Sequence, residues 1–487
     1  MLPLLLAVAL VKLWLIPAGA SFWVDETVTA FVVHEGGAHP SLDVAPQVPK
    51  SIYYNFARAA DRVLGRSELA YRIPSLLAAA LALFLIARLA ARLIHPDAAW
   101  FAVFACLSLK GINAEATDAR PYALGFCIAA AAFLFLVRWL DRNDWLDAAI
   151  FVICAVCLWR VHLIFWPIYL AMALYGLMRC LRRETQVPWT RALTVFALVG
   201  AALVPVAIDA IAVNRGASDH VIVDLPRFRD LSGSLKGMLV GLCAIGGVAA
   251  WMITGEKYKT SSVSWTTAVL AIGWWLAQPI ALFAYSWLSG NSVFVGRYLS
   301  IGLPGTALAA TLVAAFFLPV RYWKAASLVM AIGALYVLRN GAGQPTSDWR
   351  EAASTIAEYP ADTPVICPSP FIEAKGPEWT PGYPLPGFLY AHLETYPVHG
   401  RLFLFPFRKS PEAERYAAEL SRATLTGSPR FLIYGGASIA RQWRAWFLHR
   451  PEFAGWTGRS LGSFGDVDAI LLERPHLLHT TTSVLLH

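Results

Sequence analysis

The chain has 487 residues, a length that would ordinarily fill about three soluble domains of roughly 150 residues each. Its composition excludes that reading, because 57% of the residues are hydrophobic and only 15% are charged, against about 25% charged in typical soluble proteins. The apolar residues fall in long blocks, which collagen-like, disordered and disulfide-scaffold chains do not have, so a polytopic α-helical membrane protein remains.

The formal charge of +8 is compatible with nucleic-acid binding, but the basic residues sit mostly in short connections between apolar blocks, which fits membrane orientation instead. Of the seven cysteines, only Cys367 lies in a polar region, so there is no disulfide framework to build. Cys154 and Cys157 spell C-x-x-C inside the apolar run FVICAVCLW and read as two small buried side chains.

Apolar runs long enough for a ~30 Å hydrocarbon core predict helices near 2–20, 74–94, 97–112, 120–140, 145–160, 161–180, 192–213, 236–254, 263–288, 298–319 and 323–340, about eleven spans in all. The first resembles a secretory signal at Ala18-Gly19-Ala20, but no Lys or Arg precedes it and Lys12 interrupts it, so it reads as a retained helix. Arg88 and Arg92, then Arg138 and Arg142, then Arg179, Arg182, Arg183 and Arg191, then Lys257 and Lys259, then Arg321 and Lys324 fall on one side, which the positive-inside rule makes cytoplasmic. The C-terminus then lies outside. Residues 1–340 form the transmembrane domain, with a first outer loop at about 21–72. From about 345 onward the helical spacing of DWREAASTIAEY and ASIARQWRAWFLH, alternating with the β-type runs TPVICP, RFLIYGG and DVDAILLER, predicts a small extracytoplasmic α/β domain over 345–487. It contains no G-x-G-x-x-G and no P-loop.

Three constellations stand at the predicted outer ends of helices. SFWVDETVTA carries Asp25 and Glu26 beside the interfacial Trp23; an adjacent acid pair there needs a partner or a function, or is a solvated helix N-terminus with acids at the dipole. NAEATDARPYALG carries Asp118, Arg120 and Tyr122, with Pro121 marking the helix start. NSVFVGRYLSIGLP carries Arg297 and Tyr298. Each of the last two also reads as an interface anchor, with Arg snorkelling and Tyr at headgroup level. His162, beside Arg160 and Trp166 at the start of another span, is a weaker signal. Together they exceed what anchoring requires and point to a shared polar cavity. A carboxylate that accepts a proton, and guanidinium groups that hold a phosphate, suit attack on a lipid-phosphate-linked substrate.

In their order, an N-terminal helix ending in Asp-Glu, a first loop with SIYYNFARAADRVLGRSELAYRIPS, then DARPYAL, GRYLSIGLP and a terminal DWREAA domain resemble the bacterial membrane glycosyltransferases of the C-type (GT-C) superfold. The Rgt-type and protein-mannosyltransferase-like families look nearest, and the aminoarabinose lipid A transferase more distant. The resemblance covers essentially the whole chain. It implies an inverting glycosyltransferase that moves a sugar from a polyprenyl-phosphate donor to a glycan, lipid or protein acceptor, without nucleic acid, at the periplasmic face of the bacterial cytoplasmic membrane. It assigns Asp25 as general base and Glu26 as its companion, orienting the acceptor or binding a metal. It assigns Asp118, Arg120 and Tyr122 to the donor site, and Arg297 and Tyr298 to the region of the lipid phosphate. Relatives read Pro-Pro-Leu-Tyr where this chain has Lys50-Ser51-Ile52-Tyr53-Tyr54. Lys50, with Tyr53 and Tyr54, is therefore either a new donor contact or a solvent-facing substitution, and Arg72 either anchors the second span or contacts phosphate. Acid pairs at membrane surfaces can hold Mg²⁺ or Mn²⁺, yet no His/Cys cluster demands a metal.

A lipid-linked-glycan transporter or flippase also needs a polar cavity, but it usually shows inverted repeats and polar breaks near the midplane, whereas here the polar groups cluster at one face. An inactive relative that binds lipid-linked glycan is the other alternative; the presence of Asp25 and Arg120 argues against it.

Overall fold

The computed structural model describes residues 1–215, 223–254, 263–338, 347–375 and 378–474. Lys257 and Lys259, and the expected domain boundary between 340 and 345, lie outside the described residues. The chain divides into two compact units, one comprising Met1–Ala20, Val32–Ala38 and Pro46–Gln344, the other Ser21–Phe31, His39–Ala45 and Pro345–His487.

The first unit is a helical bundle. Helix α1 (Leu2–Leu10) continues through a π-helical turn at Val11–Leu15 and a 3-10 turn at Pro17–Gly19. Then follow α2 (Val24–His34), whose first residues belong to the other unit, and α3 (Tyr53–Leu64), α4 (Glu68–Leu93), α5 (Ala98–Leu107), α6 (Lys110–Ala116), α7 (Tyr122–Arg142) and α8 (Trp145–Val161). The bundle is completed by α9 (Ile168–Leu181), α10 (Trp189–Arg215), α11 (Phe228–Ser234), α12 (Gly237–Thr254), α13 (Trp265–Ser289), α14 (Gly296–Leu299), α15 (Leu303–Phe317) and α16 (Trp323–Val337).

Among the described residues, seven helices are long and apolar enough to cross a membrane, or eight if α11 and α12, bent by 55°, count as one span. The run at 97–112 is apolar enough but is cut in two, because Asn113 donates its side-chain amide to the carbonyls of Leu107 (2.8 Å) and Leu109 (3.2 Å), and Trp14 Nε1 donates to Asn113 Oδ1 at 2.9 Å. The carbonyls at the end of α5 are thus satisfied without continuing the helix. Helices α8 and α16 have 17 and 15 residues, at and just under the lower end of the roughly 17–25 that spans use; α8 ends where His162 turns to extended backbone.

The bundle has two chemically distinct ends. At one, Asp141 at the end of α7 receives Arg92 from the end of α4 (2.7 Å) and Arg179 from the end of α9 (2.5 Å), while Glu184 accepts hydroxyls of Ser264 and Thr266 at the start of α13 (2.6 Å each). At the other end meet the starts of α4, α7 and α9. Ser75 of α4 donates to the Arg120 carbonyl at 3.2 Å, and Ser51 donates to the Val161 carbonyl at 2.6 Å.

The second unit is an α/β fold. Its five-stranded sheet has the order β2-β1-β3-β5-β4, with β1 (Pro364–Pro368), β2 (Arg401–Phe405), β3 (Arg430–Gly436), β4 (Thr457–Ser460) and β5 (Val467–Glu473). β1 pairs in parallel with β2 and β3, whereas β5 runs antiparallel to β3 and β4. Helices α17 (Trp349–Ile356), α18 (Ala391–Thr395), α19 (Pro411–Ala423) and α20 (Ala437–Leu448) complete it. Residues 21–31 and 39–45 are tied to it: the Phe22 N–H donates to the Tyr396 hydroxyl at 2.8 Å, the Arg350 N–H to Ser21 Oγ at 3.3 Å, and the Phe388 N–H to Ser41 Oγ at 2.9 Å.

Candidate active site

Within the bundle, one aromatic and charged cluster gathers residues from three separate stretches. Tyr122, at the start of α7, stacks on the His162 ring with centroids 5.6 Å apart at 27°. Tyr298 closes the wall at 5.5 Å from His162 and 6.4 Å from Tyr122. Phe165 lies behind at 5.5 Å from His162. It fits there because Gly125 has no side chain: a Cβ at that position would stand 2.4 Å from the Phe165 ring.

Two guanidinium groups act on this wall. Arg120 and Arg297 both exert their field on His162, and both act on a buried carboxyl, Glu115. Arg120 Nη1 also donates to the Tyr54 hydroxyl at 3.5 Å. The segment bearing Arg297 is clamped by α13: Gln278 donates its amide to the carbonyls of Tyr298 (2.8 Å) and Ile164 (3.0 Å), and Trp274 Nε1 donates to the Ile301 carbonyl at 2.9 Å.

His162 is held neutral. Burial, then the fields of Arg120 and Arg297, pull its imidazole down to about 3. The Ile164 N–H donates to its Nδ1 at 3.3 Å, so Nδ1 is the acceptor nitrogen and Nε2 carries the hydrogen. A neutral imidazole offers a phosphate or a sugar hydroxyl one N–H donor, not a charge. Glu115 was missed in the sequence, although an acid at the end of an apolar helix is itself a signal. Burial pushes it up to about 8, against the lowering effects of Arg297, a hydrogen bond with Ser300, and Arg120.

The other expected donor contacts divide. Tyr54 joins the cluster. Tyr53 is buried and faces α4, its hydroxyl donating to the Tyr71 carbonyl (3.2 Å) and meeting Ser75 Oγ at 2.9 Å. Lys50 pairs with Asp209 of α10 at 3.0 Å, in an exposed position. Arg72 is fully buried and donates to the carbonyls of Ala18 (3.0 Å) and Ala20 (2.6 Å), which caps the end of the first span. Asp118 is buried in the turn between α6 and α7. On the exposed side of α9 and α13 lies an apolar groove of about 600 Å³, lined by residues such as Leu170, Leu174, Ile272 and Ile280.

Asp25 and Glu26 occupy the first turn of α2, in the stretch that belongs to the second unit. Glu26 is fully buried and accepts the Trp23 N–H at 3.2 Å, which is the carboxylate half of a capping box. Asp25 is half-buried.

No protein-family model matches the chain, and no curated protein matches it in sequence. Solved structures do match. ArnT from Cupriavidus metallidurans in the apo state superposes over 96% of this chain and 97% of its own, with TM-score 0.53 and 12% identity. ArnT from the same organism bound to undecaprenyl phosphate gives the same coverage, with TM-score 0.54 and 11% identity. This chain therefore has the GT-C fold, as a multi-pass membrane protein with a small C-terminal sheet domain.

Proposed function

We propose that this chain is a polyprenyl-phosphate-sugar-dependent glycosyltransferase of the cell envelope, working at the periplasmic face of a bacterial inner membrane with its C-terminal domain on that same side. Within the GT-C superfold, the order of its motifs favours the Rgt-type and protein-mannosyltransferase-like branch. The observation that carries the reading is the pairing of Arg120 and Arg297, 177 positions apart, around one aromatic wall in a GT-C bundle. Two guanidinium forks beside the stacked Tyr122 and His162 rings and the tilted Tyr298 ring suit a sugar phosphodiester, whose ring lies on aromatic faces while its phosphate takes paired N–H donors. The apolar groove between α9 and α13 suits an isoprenoid tail, and the undecaprenyl phosphate of the ArnT complex supports a donor of that chemistry.

The reaction is a single displacement with inversion. An acceptor hydroxyl attacks the anomeric carbon, the bond from that carbon to the phosphate oxygen breaks, and polyprenyl phosphate leaves as an anion. Arg120 and Arg297 stabilise the charge that develops on the leaving oxygen. Asp25 takes the acceptor proton as the new bond forms, while Glu26 fixes the turn that carries it. No step requires a metal ion.

Incubation of the purified chain with radiolabelled polyprenyl-phosphate sugars and envelope extract should yield labelled acceptor, and Arg297→Ala should weaken donor binding. Each charge-assisted hydrogen bond contributes about 1.5–3 kcal/mol, so a ten- to hundredfold loss of affinity is expected. Unchanged donor affinity in both Arg297→Ala and Arg120→Ala would move the phosphate elsewhere. Movement of an intact lipid-linked glycan between vesicle leaflets, without transfer, would favour a flippase.

A further inference from the structure

We propose that helix α3 docks on the surface of the leaflet at the site end of the bundle, with its outward apolar sector among the acyl chains and its arginines on anionic lipid headgroups. This docking surface is independent of whether the chain transfers sugar.

The residues of α3 sort by chemistry around the helix. At 3.6 residues per turn, Tyr53, Ala57 and Tyr54 share one sector, and all three are buried. Arg58, Arg62 and Asn55 occupy the next sector. Ala59, Val63, Phe56 and Ala60 fill the third. Val63 is 81% exposed and Phe56 52%, so the apolar third sector is turned away from the bundle. Water alone gives a helix no reason to divide its outward residues into an arginine side and a side of alanine, valine and phenylalanine. A bilayer surface does, because it offers hydrocarbon to one side and headgroups to the other.

The place of α3 in the chain agrees with this division. Three residues, Gly65, Arg66 and Ser67, separate it from α4, which is long and apolar enough to cross a membrane. Gly65 makes the turn with φ at 76°, a conformation that glycine adopts without steric cost. Hydrogen bonds then fix α3 across the first turns of α4. The Tyr53 hydroxyl donates to the Tyr71 carbonyl at 3.2 Å and meets Ser75 Oγ at 2.9 Å, and the Tyr71 hydroxyl donates to Asp61 Oδ1 at 2.8 Å. With the buried sector held against a span, the other two sectors stand at the border between hydrocarbon and water.

Charge selects the lipid. Residues 53–66 carry Arg58, Arg62 and Arg66 against Asp61 alone, and Asp61 is taken up by Tyr71. Arg58 donates to Asn55 Oδ1 at 3.4 Å. Arg62 and Arg66 are exposed, and among the described residues neither forms an ion pair. Headgroup phosphate oxygens accept guanidinium donors in pairs, and each basic residue near an anionic surface favours binding by about fivefold. A zwitterionic headgroup offsets that attraction with its own ammonium. Tyr54, in the first turn of the same helix, meets Arg120 Nη1 at 3.5 Å, so the leaflet surface and the candidate site share one helix.

The test uses the full-length protein in nanodiscs of mixed phosphatidylcholine and phosphatidylglycerol. A nitroxide on Val63→Cys should collide with oxygen more readily than with a water-soluble nickel chelate, and one on Arg62→Cys the reverse; the parent's cysteines, none of them exposed, set the background. Equal access of the chelate to both positions would overturn the inference. So would a label at 63 shielded from both reagents, because protein, a second copy of this chain included, would then cover the apolar sector. Headgroup choice is read by cross-linking photoactivatable phosphatidylglycerol and phosphatidylcholine to residues 53–66. The parent should favour phosphatidylglycerol, and the ratio should fall about fivefold in Arg62→Gln and further when Arg66→Gln is added. A ratio unchanged in the double variant would also overturn the inference.

Discussion

The rings of Tyr122 and His162 stack at 5.6 Å, and the imidazole in that stack is uncharged because it is buried beside two arginines. His162 therefore serves as a wall and a hydrogen-bond donor, not as a titrating acid. Its folded value is depressed to about 3, so lowering the pH from 7 to 5 leaves it neutral. Replacing it by Phe keeps an aromatic partner for Tyr122 but removes the Nε2 donor, so donor affinity should fall by up to about 1.5–3 kcal/mol, the contribution of a hydrogen bond to a charged group, with the pH profile of binding between 5 and 7 unaltered. An inflection near pH 6.5 in the parent that disappears in His162→Phe would show that the imidazole does take up a proton.

Asp25 and Glu26 should separate by kinetics. Asp25→Asn keeps the shape of the turn and removes the carboxylate proposed as base, so kcat should fall by about 10²–10⁴-fold with donor affinity preserved. Glu26→Ala leaves that base in place and removes the acceptor of the Trp23 N–H. It should cost about 0.5–2 kcal/mol of local stability, seen as faster hydrogen exchange at the start of α2. Transfer by a well-folded Asp25→Asn at the parent rate would assign the base elsewhere.

The sequence carried the chemistry of the bundle better than its geometry. Arg120, Tyr122, Arg297 and Tyr298 were legible because charged and aromatic residues at the ends of apolar runs stand out against lipid-compatible composition. The division of 97–112 was not, since it depends on Asn113 being met by Trp14 from 99 positions away. The membership of Asp25 in the second unit was equally hidden: residues 21–31 and 39–45 are fixed by Tyr396, Arg350 and Phe388, more than 300 positions downstream. In the α/β unit the runs PVICP, RFLIYGG and VDAILLE announced β1, β3 and β5, whereas the edge strand β4 (TGRS) has no apolar residue to declare it. Lys50 and Arg72 have the charge of phosphate ligands, but Asp209 and the Ala18 and Ala20 carbonyls engage them.

Gly305 tests how the Arg297 segment is held. A Cβ there would meet the backbone of α13, 2.4 Å from Trp275 N and 2.6 Å from Trp274 C, and backbone cannot swing aside as a side-chain tip can. Gly305→Ala should push α15 off α13, costing at least the 1–3 kcal/mol typical of overpacking. The bonds from Trp274 to Ile301 and from Gln278 to Tyr298 cross the same junction, so donor affinity should fall along with the thermal midpoint. A variant with the parent's midpoint and affinity would mean that the two helices are not in close contact at this point.

His392 makes the second unit acid-sensitive. It is fully buried, with its ring 4.6 Å from Trp349 and 5.9 Å from Tyr434, and among the described residues neither ring nitrogen has a hydrogen-bond partner. Burial lowers it to about 3, whereas an unfolded imidazole titrates near 6.5. Above pH 6.5 both states are neutral and stability is complete; as pH falls from 6.5 toward 3, only the unfolded chain takes up the proton, and stability is lost at up to about 1.4 kcal/mol per unit. Between pH 7 and 5 the loss should be about 2 kcal/mol, measurable in the full-length protein as weaker hydrogen-exchange protection of β1 and β3. His392→Phe, which keeps the aromatic packing and has no proton to gain, should abolish that part of the pH dependence. If the variant and the parent lose protection in parallel on acidification, the acid sensitivity of the unit lies in another group.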